Sequence, residues 1–299
     1  MNERTIPIAG AFDLTDQAFT PPGLPEWVTS PVPAWVRPYI GKNGTPPPWN
    51  NADKPFGSKT GGVDRYLANH FIWYRPETAD FLYREYTPLA VDYRAGTLPA
   101  YEKAAACHTA GCGTDTEKAT VLLTQALPEI MPHPTIPPTG PWVPGNRNLD
   151  DEALLACGSG WCNEQARIFI RLCQVCNIPA RLIHLFGRQH TAAEFFADGR
   201  WALADVSYFF VVPDSDGRLL SVAQCHDHGA GQSCYSEAYD RRIQALLAMS
   251  DAELFPGQPA EVAAKFRREA GEVTPRHLVK ADMLFGVINV PLPPAPGTA

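Results

Sequence analysis

Residues 157–186 read CGSGWCNEQARIFIRLCQVCNIPARLIHLF, and residues 190–207 read HTAAEFFADGRWALADVS. These two stretches decide the fold, because they contain a loop, an amphipathic helix and a strand hairpin in close succession. Gly158 and Gly160 favour a tight loop, and a helix is predicted from Cys162 onward because apolar residues then recur at helical spacing. The sequence therefore predicts an α+β arrangement, with a helix followed directly by antiparallel strands.

Turn residues mark the strands that follow this helix. Asn177, with a proline two residues beyond, predicts the end of the helix. Residues 180–186 alternate as a strand does. Residues 190–197 and 200–212 are predicted as two further strands around an Asp-Gly turn, the strongest local hairpin signal in the chain.

The composition is that of an ordinary globular protein. The chain has 299 residues, 45% hydrophobic and 19% charged, with a formal net charge of -7. Such a chain can bury a sizeable core, and its acidic balance disfavours nucleic acid as the main partner. The sequence contains neither an apolar run long enough for a membrane-spanning helix nor the apolar segment of a signal peptide. We therefore expect a cytoplasmic protein without a membrane partner, in which the eight cysteines are reduced.

Proline usage divides the chain. Of 30 prolines, 21 lie in residues 1–150 and ten in the first 50, a region that also holds Trp27, Trp35 and Trp49. Because proline limits regular structure and the tryptophans need burial, residues 1–106 are predicted as an irregular segment packed on the core. Its first 60 residues are expected to cover part of the cleft. A docking segment for a partner is the alternative.

Helices are expected on both sides of the quoted stretches. The residues TDTE at 114–117 form a capping box and begin a helix, in which Pro128 predicts an early end or a kink. Residues 107–235 are predicted as the core, and residues 236–299 as a helical C-terminal segment with a flexible tail. A short helix is expected at residues 150–155, and further helices are expected at 236–249, 250–255 and 258–270.

One cysteine differs from the other seven in its surroundings. Cys162 follows a glycine loop at a helix start, where backbone N–H groups and the helix dipole stabilise a thiolate. A thiolate nucleophile needs a histidine partner, and the imidazole in turn needs a carboxylate. His190 and Asp205 flank the Asp198-Gly199 turn at nearly equal distances, so an antiparallel hairpin places them roughly opposite each other.

This ordered set of residues resembles the core of the transglutaminase-like superfamily. The pattern is a G-x-C loop, a helix that ends in N-I-P-A-R, an H-x-x-x-E strand and a D-G-x-W-x-x-x-D hairpin. The resemblance covers residues 114–212. The matching positions are Gly160, Cys162, Ile178, Pro179, Ala180, Arg181, His190, Glu194, Gly199, Trp201 and Asp205.

The resemblance implies a papain-like α+β fold, in which the helix of a catalytic cysteine packs on an antiparallel sheet. It also implies acyl transfer through a thioester, with Cys162, His190 and Asp205 as the catalytic triad. Many members carry an aromatic residue where this chain has Ala192, and proline where it has Val206. The alanine changes the wall near the site, and hence the substrate range, but removes no reacting group.

Other cysteine and histidine residues are weaker candidates for chemistry. Cys173 and Cys176 form a C-x-x-C pair, but both fall on the apolar face of one helix, which favours core packing. The clusters at 107–112 and 225–228 could supply four zinc ligands if they met in space, but no standard spacing supports this and solvated loops are the simpler interpretation. The segment 214–217 is predicted as a turn, because it lacks the distal glutamate of a calcium loop. No metal or other cofactor is predicted.

Three further residues are considered for the site itself. The indole of Trp142 or Trp161 could line an oxyanion site beside the backbone N–H of Cys162, although packing is the simpler role. Glu194 shares a strand face with His190 and is predicted to be structural.

The predicted function is that of a cysteine-dependent amide hydrolase or acyltransferase, acting on a peptide, a protein or a small amide. One rival is a catalytically silent transglutaminase-like binding module, which the intact set of three residues disfavours. The other is a structural protein stabilised by zinc at the cysteine and histidine clusters. The sequence predicts neither the acyl donor and acceptor nor the oligomeric state.

Overall fold

The computed structural model describes residues 32–40, 71–86, 91–132, 151–158, 160, 162–185, 190–272, 279, 283–290 and 292–293. Its centre is a six-stranded antiparallel sheet with the strand order β1-β6-β2-β3-β4-β5. The strands are β1 (Ile72–Trp73), β2 (Ala180–Leu185), β3 (His190–Ala197), β4 (Arg200–Asp205), β5 (Phe210–Val211) and β6 (Phe285–Asn289).

Helices cover both faces of this sheet. They are α1 (Pro76–Asp80), α2 (Pro99–Thr109), α3 (Asp115–Val121), α4 (Asp151–Cys157), α5 (Cys162–Val175), α6 (Val222–Asp227), α7 (Gly229–Leu247), α8 (Asp251–Leu254) and α9 (Ala260–Glu272). Within the described part of the chain, none of them has the length and apolar character needed to cross a membrane.

The long helix α5 is buried along almost its whole length, between the sheet and the helices that precede it in sequence. It ends as the sequence predicted. Asn177 adopts a positive φ of 58°, and the backbone N–H groups of Asn177 and Ile178 donate to the carbonyls of Gln174 and Cys173, both at 2.9 Å. This pair of bonds is a Schellman motif, and it turns the chain directly into β2.

The predicted hairpin is also present, and its turn explains its register. Asp198 and Gly199 both have positive φ, 50° and 78°, as a type I′ turn requires. Ala197 therefore pairs with Arg200, and the ladder continues to Ala193 opposite Ala204.

Pro128 does not end its helix. A π-helical turn, Leu122–Ala126, continues α3, and a last α-helical segment, Leu127–Ile130, follows it. A wider turn changes which carbonyl faces the proline ring, and this relieves the clash that proline causes inside a regular α-helix.

Two apolar cores lie on the two sides of the sheet. On one side, Phe169 of α5 packs edge-on against Phe195 of β3, with ring centroids 6.1 Å apart. On the other side, Leu203 of β4 and Ile183 of β2 belong to a cluster with Ile243 of α7. The alternation of strand side chains between two buried faces explains why these strands are apolar throughout.

The C-terminal segment differs from the sequence-based expectation of a helical region. The helices α7, α8 and α9 lie between residues 229 and 272, but β6 is a strand that inserts into the sheet between β1 and β2. All five of its residues are buried, so its sequence FGVIN lacks the polar alternation that marks a half-exposed strand. The last six residues of the expected tail, 294–299, lie outside the described residues.

Part of the N-terminal segment contacts the sheet. Val36 is fully buried, and Ile40 forms an isolated antiparallel bridge with Ile72 of β1. Trp35 rests edge-on against Phe81 while 51% of it stays exposed. The other two tryptophans expected to pack here, at positions 27 and 49, lie outside the described residues. The boundaries at 106 and 235, and the covered cleft, remain predictions.

Candidate active site

The loop before α5 brings Cys162 to the first position of the helix. Gly160 is buried there, and a Cβ on it would lie 2.5 Å from the Cβ of Glu164, so only glycine allows this close approach. Cys162 is itself buried, with 8% of its surface exposed. Its sulfur lies at the positive end of a fourteen-residue helix, the position that favours an anion.

The hairpin of β3 and β4 brings His190 and Asp205 together. Extending the observed register by one residue places Asp205 across from Ala192, so His190 lies diagonally from it on the same face. The Nε2 of His190 is 3.2 Å from the Oδ2 of Asp205. The sequence analysis placed the two residues roughly opposite each other, and the structure shows that they form a diagonal pair.

The histidine also contacts the cysteine. His190 is hydrogen-bonded to the side chain of Cys162, and because its Nε2 faces Asp205, Nδ1 is the ring nitrogen left for this bond. The structure thus joins the three predicted residues in one chain of hydrogen bonds. His190 and Asp205 are each 1% exposed, so water screens these interactions little.

This environment changes the titration of His190. Burial by itself lowers its pKa, but the charge and hydrogen bond of Asp205, together with Cys162, outweigh burial and raise the pKa from 6.5 to about 10. At neutral pH the imidazole is therefore protonated. It can act as a proton donor and as the counter-ion of a negative sulfur.

Two further groups donate hydrogen bonds to the carboxylate of Asp205. The backbone N–H of Ser207 donates to Oδ1 at 3.1 Å, and the hydroxyl of Tyr235 donates to Oδ2 at 2.6 Å. The sequence analysis missed Tyr235, which lies on α7, 30 residues beyond Asp205. Its only local signal is helical spacing from Tyr239, which predicts a shared face and no contact with the site.

A second contact fixes the cysteine helix against the hairpin. The hydroxyl of Ser207, in the turn after β4, donates to the Oε1 of Gln165 on α5 at 3.2 Å. Both residues are buried. Because Ser207 also binds Asp205 through its backbone, this turn connects the helix of Cys162 to the strand of Asp205.

Glu194 belongs to a separate buried network. Its carboxylate accepts from the guanidinium of Arg181 at 2.8 and 3.0 Å, from the hydroxyl of Tyr83 at 2.9 Å and from the backbone N–H of Val222 at 2.6 Å. The guanidinium lies 3.8 Å from the ring centroid of Trp201. These bonds join β2 and β3 to the segment after α1 and to the start of α6.

The other six cysteines with described side chains are not members of this chain of hydrogen bonds. Cys173 is in the apolar core, where burial raises the pKa of its thiol well above its usual value. Cys176 is half-buried, and burial raises the pKa of its thiol as well. All seven cysteines whose side chains the structure describes are free thiols, a set that includes Cys107, Cys112 and Cys234.

The cluster at 225–228 does not lie in a solvated loop. Residues 225–227 are on α6, with Cys225 fully buried. His226 bonds to Asp227 at 2.6 Å and to the backbone carbonyl of Met283 at 2.8 Å. Among the residues with a described placement, no group of three or more His, Cys, Asp or Glu side chains could hold a metal ion. Trp142 and Trp161, the candidates for the oxyanion site, lie outside the described residues.

A surface cavity of about 210 Å³ opens at the other end of the hairpin, beside the Asp198-Gly199 turn. Arg200 and Arg218 are among its lining residues, and neither Cys162, His190 nor Asp205 takes part. This cavity is therefore separate from the hydrogen-bonded residues.

Taken together, the structure is a mixed fold with a buried cysteine, histidine and aspartate at the junction of a helix and an antiparallel sheet. A family model described as the transglutaminase-like superfamily matches residues 141–206, a segment that contains all three residues. Members of that superfamily are generally cysteine-dependent enzymes. Comparison with curated proteins and with solved structures found no match.

Proposed function

We propose that this protein is a cysteine-dependent amide hydrolase or acyltransferase, which works through a thioester on Cys162. The observation that carries the proposal is the buried chain of hydrogen bonds from Cys162 through His190 to Asp205. A nucleophile, a proton carrier and a group that orients the carrier are the parts that covalent acyl transfer needs. The proposed acyl substrate is a peptide, a protein or a small amide.

The charges at the site favour the first step of the proposed reaction, in which the sulfur of Cys162 attacks the amide. His190 is protonated at neutral pH because its pKa is raised to about 10, so it can pair with a negative sulfur on Cys162. The backbone N–H groups of the first turn of α5 also stabilise negative charge on this sulfur. The sulfur then attacks the acyl carbon of the amide and forms a tetrahedral intermediate.

His190 moves the proton in both halves of the proposed reaction. As the C–N bond breaks, the imidazolium gives its proton to the leaving amine, and the acyl group stays on Cys162 as a thioester. Water or a second amine then attacks the thioester, and the neutral imidazole takes the proton of this nucleophile. The C–S bond breaks, and the imidazolium of His190 and the negative sulfur of Cys162 are restored. Over one cycle the enzyme therefore gains neither protons nor electrons.

Asp205 keeps the imidazole in the orientation that this cycle requires. Its charge is the strongest of the influences that raise the pKa of His190, and its bond to Nε2 leaves Nδ1 for the sulfur. The backbone N–H of Ser207 holds the other carboxylate oxygen, so the carboxylate cannot turn freely.

Selective alkylation tests the proposal, because solvent exposure and thiol reactivity predict opposite orders of labelling for two cysteines. Cys107 is exposed whereas Cys162 is 8% exposed, so accessibility alone predicts that iodoacetamide labels Cys107 first. Our proposal predicts that Cys162 is labelled first at pH 7, since the thiolate is the reactive form. Peptide mapping after short exposures identifies the labelled residue.

His190→Ala provides the matched comparison for this experiment. It should slow the labelling of Cys162 and leave the labelling of Cys107 unchanged, with circular dichroism as the folding control. Labelling of Cys107 ahead of Cys162 in the folded wild-type protein would refute the proposal. An unchanged rate at Cys162 in the variant would remove His190 from the assigned role.

A further inference from the structure

Tyr235 contacts the proposed triad from a part of the chain outside the superfamily match. It lies on α7, is 1% exposed and donates to the Oδ2 of Asp205 at 2.6 Å. The same oxygen accepts from the Nε2 of His190 at 3.2 Å. One carboxylate oxygen is therefore shared by a phenol and an imidazolium.

The helix that carries Tyr235 packs closely against its neighbours. A Cβ on Gly231, one turn earlier on α7, would collide with the backbone carbonyl of Gln224 on α6, so the two helices touch at this point. The ring of Tyr235 packs edge-on against Phe210 of β5, with ring centroids 5.5 Å apart. The hydroxyl is thus fixed in place by its own helix and by the edge strand of the sheet.

The phenol acts only as a donor to Asp205. Burial, followed by the charge of Asp205, raises the pKa of Tyr235 well above 10, so its proton is present at neutral pH. A buried donor on a carboxylate lowers the affinity of this carboxylate for other protons, because it already stabilises the negative charge.

The titratable neighbours of His190 and Tyr235 come from several elements. His190 faces Cys162 of α5, Asp205 of β4 and His184 of β2. Burial lowers the pKa of His184 to about 3, so this neighbour is neutral near pH 7. Tyr235 is also near Tyr208 and Cys225, and burial raises the pKa of the Cys225 thiol, which is therefore neutral at this pH.

We infer that Tyr235 is a positioning residue of the active site, which holds the carboxylate of Asp205 and limits how tightly this carboxylate binds the proton of His190. The inference rests on the proposed function. In that reaction the imidazolium must release its proton to a leaving amine, and a carboxylate that holds the proton too tightly slows this step. The helix α7, which lies outside the superfamily match, would then be part of the catalytic unit.

The inference can be tested without a substrate. In protein with ¹⁵N-labelled histidine, NMR reports the Nε2–H proton of His190 at pH 7 and the pKa of its ring. The signal of His190 is the one absent from His190→Ala. Tyr235→Phe removes only the hydroxyl, so we expect the Nε2–H signal to move downfield and the pKa of His190 to rise by about 1 pH unit.

A second change at the same position gives the opposite prediction. Replacement of Tyr235 by 3-fluorotyrosine makes the phenol a stronger donor, so the Nε2–H signal should move upfield and the pKa of His190 should fall. Tyr101→Phe is the matched control, because it removes an equally buried hydroxyl that donates to the carbonyl of Asp151 at 2.7 Å. This control should leave the signal of His190 unchanged.

The outcomes separate the inference from the proposed function. If both changes at Tyr235 leave the signal of His190 in place, or move it in the same direction, the inference is wrong even where Cys162 is reactive. If the signal moves as expected while Cys162 stays unreactive to iodoacetamide, the contact is as described and the proposed function fails. Once an amide substrate is found, Tyr235→Phe should lower kcat and leave KM unchanged.

Discussion

The change Asp205→Asn tests the electrostatics of the site, because it removes a charge and keeps the size of the side chain. The pKa of His190 is about 10, against an ordinary value of 6.5, although burial alone would lower it. The charge of Asp205 is the largest of the influences that raise the pKa. Without it, we expect the pKa of His190 to fall by ~2 pH units or more.

Loss of that charge should also slow turnover. An imidazole whose positive charge is no longer stabilised by Asp205, and which is less firmly oriented, pairs less well with the negative sulfur and directs its proton less well to the leaving amine. We expect kcat to fall by ~10²–10⁴-fold and some activity to remain, since the amide can keep the position of the ring. The assay is an NMR titration of His190 between pH 6 and 11, with rates measured on any amide substrate that acylates Cys162.

Asp151→Asn is the matched control for this variant. Asp151 is also buried, and it is bound by Arg167 and Arg171 at 2.9 and 2.8 Å, away from His190. This substitution should lower stability without moving the titration of His190. A titration of His190 that stays near pH 10 in folded Asp205→Asn protein would refute the electrostatic reasoning.

Two further predictions concern stability. Because burial lowers the pKa of His184 to about 3, only the unfolded chain gains this proton as the pH falls from 6.5 to 3. The free energy of unfolding should therefore decrease by up to ~1.4 kcal/mol per pH unit over this window from His184 alone. When this free energy is measured by urea unfolding at several pH values, it should change less with pH in His184→Leu than in the wild-type protein. Glu194→Gln leaves a buried arginine without its counter-ion and should lower the free energy of unfolding by about 3–5 kcal/mol. The exposed pair of Asp80 and Arg84 is the control, since Asp80→Asn should lower the free energy of unfolding by less than about 1 kcal/mol. Equal losses of this free energy in Glu194→Gln and Asp80→Asn would contradict the account.

Local signals in the sequence sufficed for the central part of the fold. The end of α5 at Asn177 and the turn at 198–199 depend on residues that tolerate positive φ, and such signals are readable without knowledge of the tertiary structure. The hairpin then fixes the register, which brings His190 to Asp205. This is why the pair could be predicted from spacing alone.

Elements that depend on distant contacts were not predictable in the same way. The strand β6 is buried on both faces, so its sequence has no alternation, and its neighbours in the sheet are about 100 and 200 residues away along the chain. The helix α6 was mistaken for a loop because its six residues include Gln224, His226 and Asp227, which give no clear apolar face. Tyr235 meets Asp205 only because α7 packs across the hairpin, and that contact leaves no pattern in the sequence.

The central claim is that Cys162 carries the acyl group of the substrate as a thioester. The most direct measurement is intact-mass spectrometry of the protein after brief incubation with a panel of acyl esters and peptides, followed by peptide mapping. The account predicts a mass increase equal to one acyl group, which maps to Cys162, is released by hydroxylamine and is absent from Cys162→Ala and His190→Ala. An adduct that persists in folded Cys162→Ala, or that maps to Cys107 or another thiol in the wild-type protein, would contradict the account.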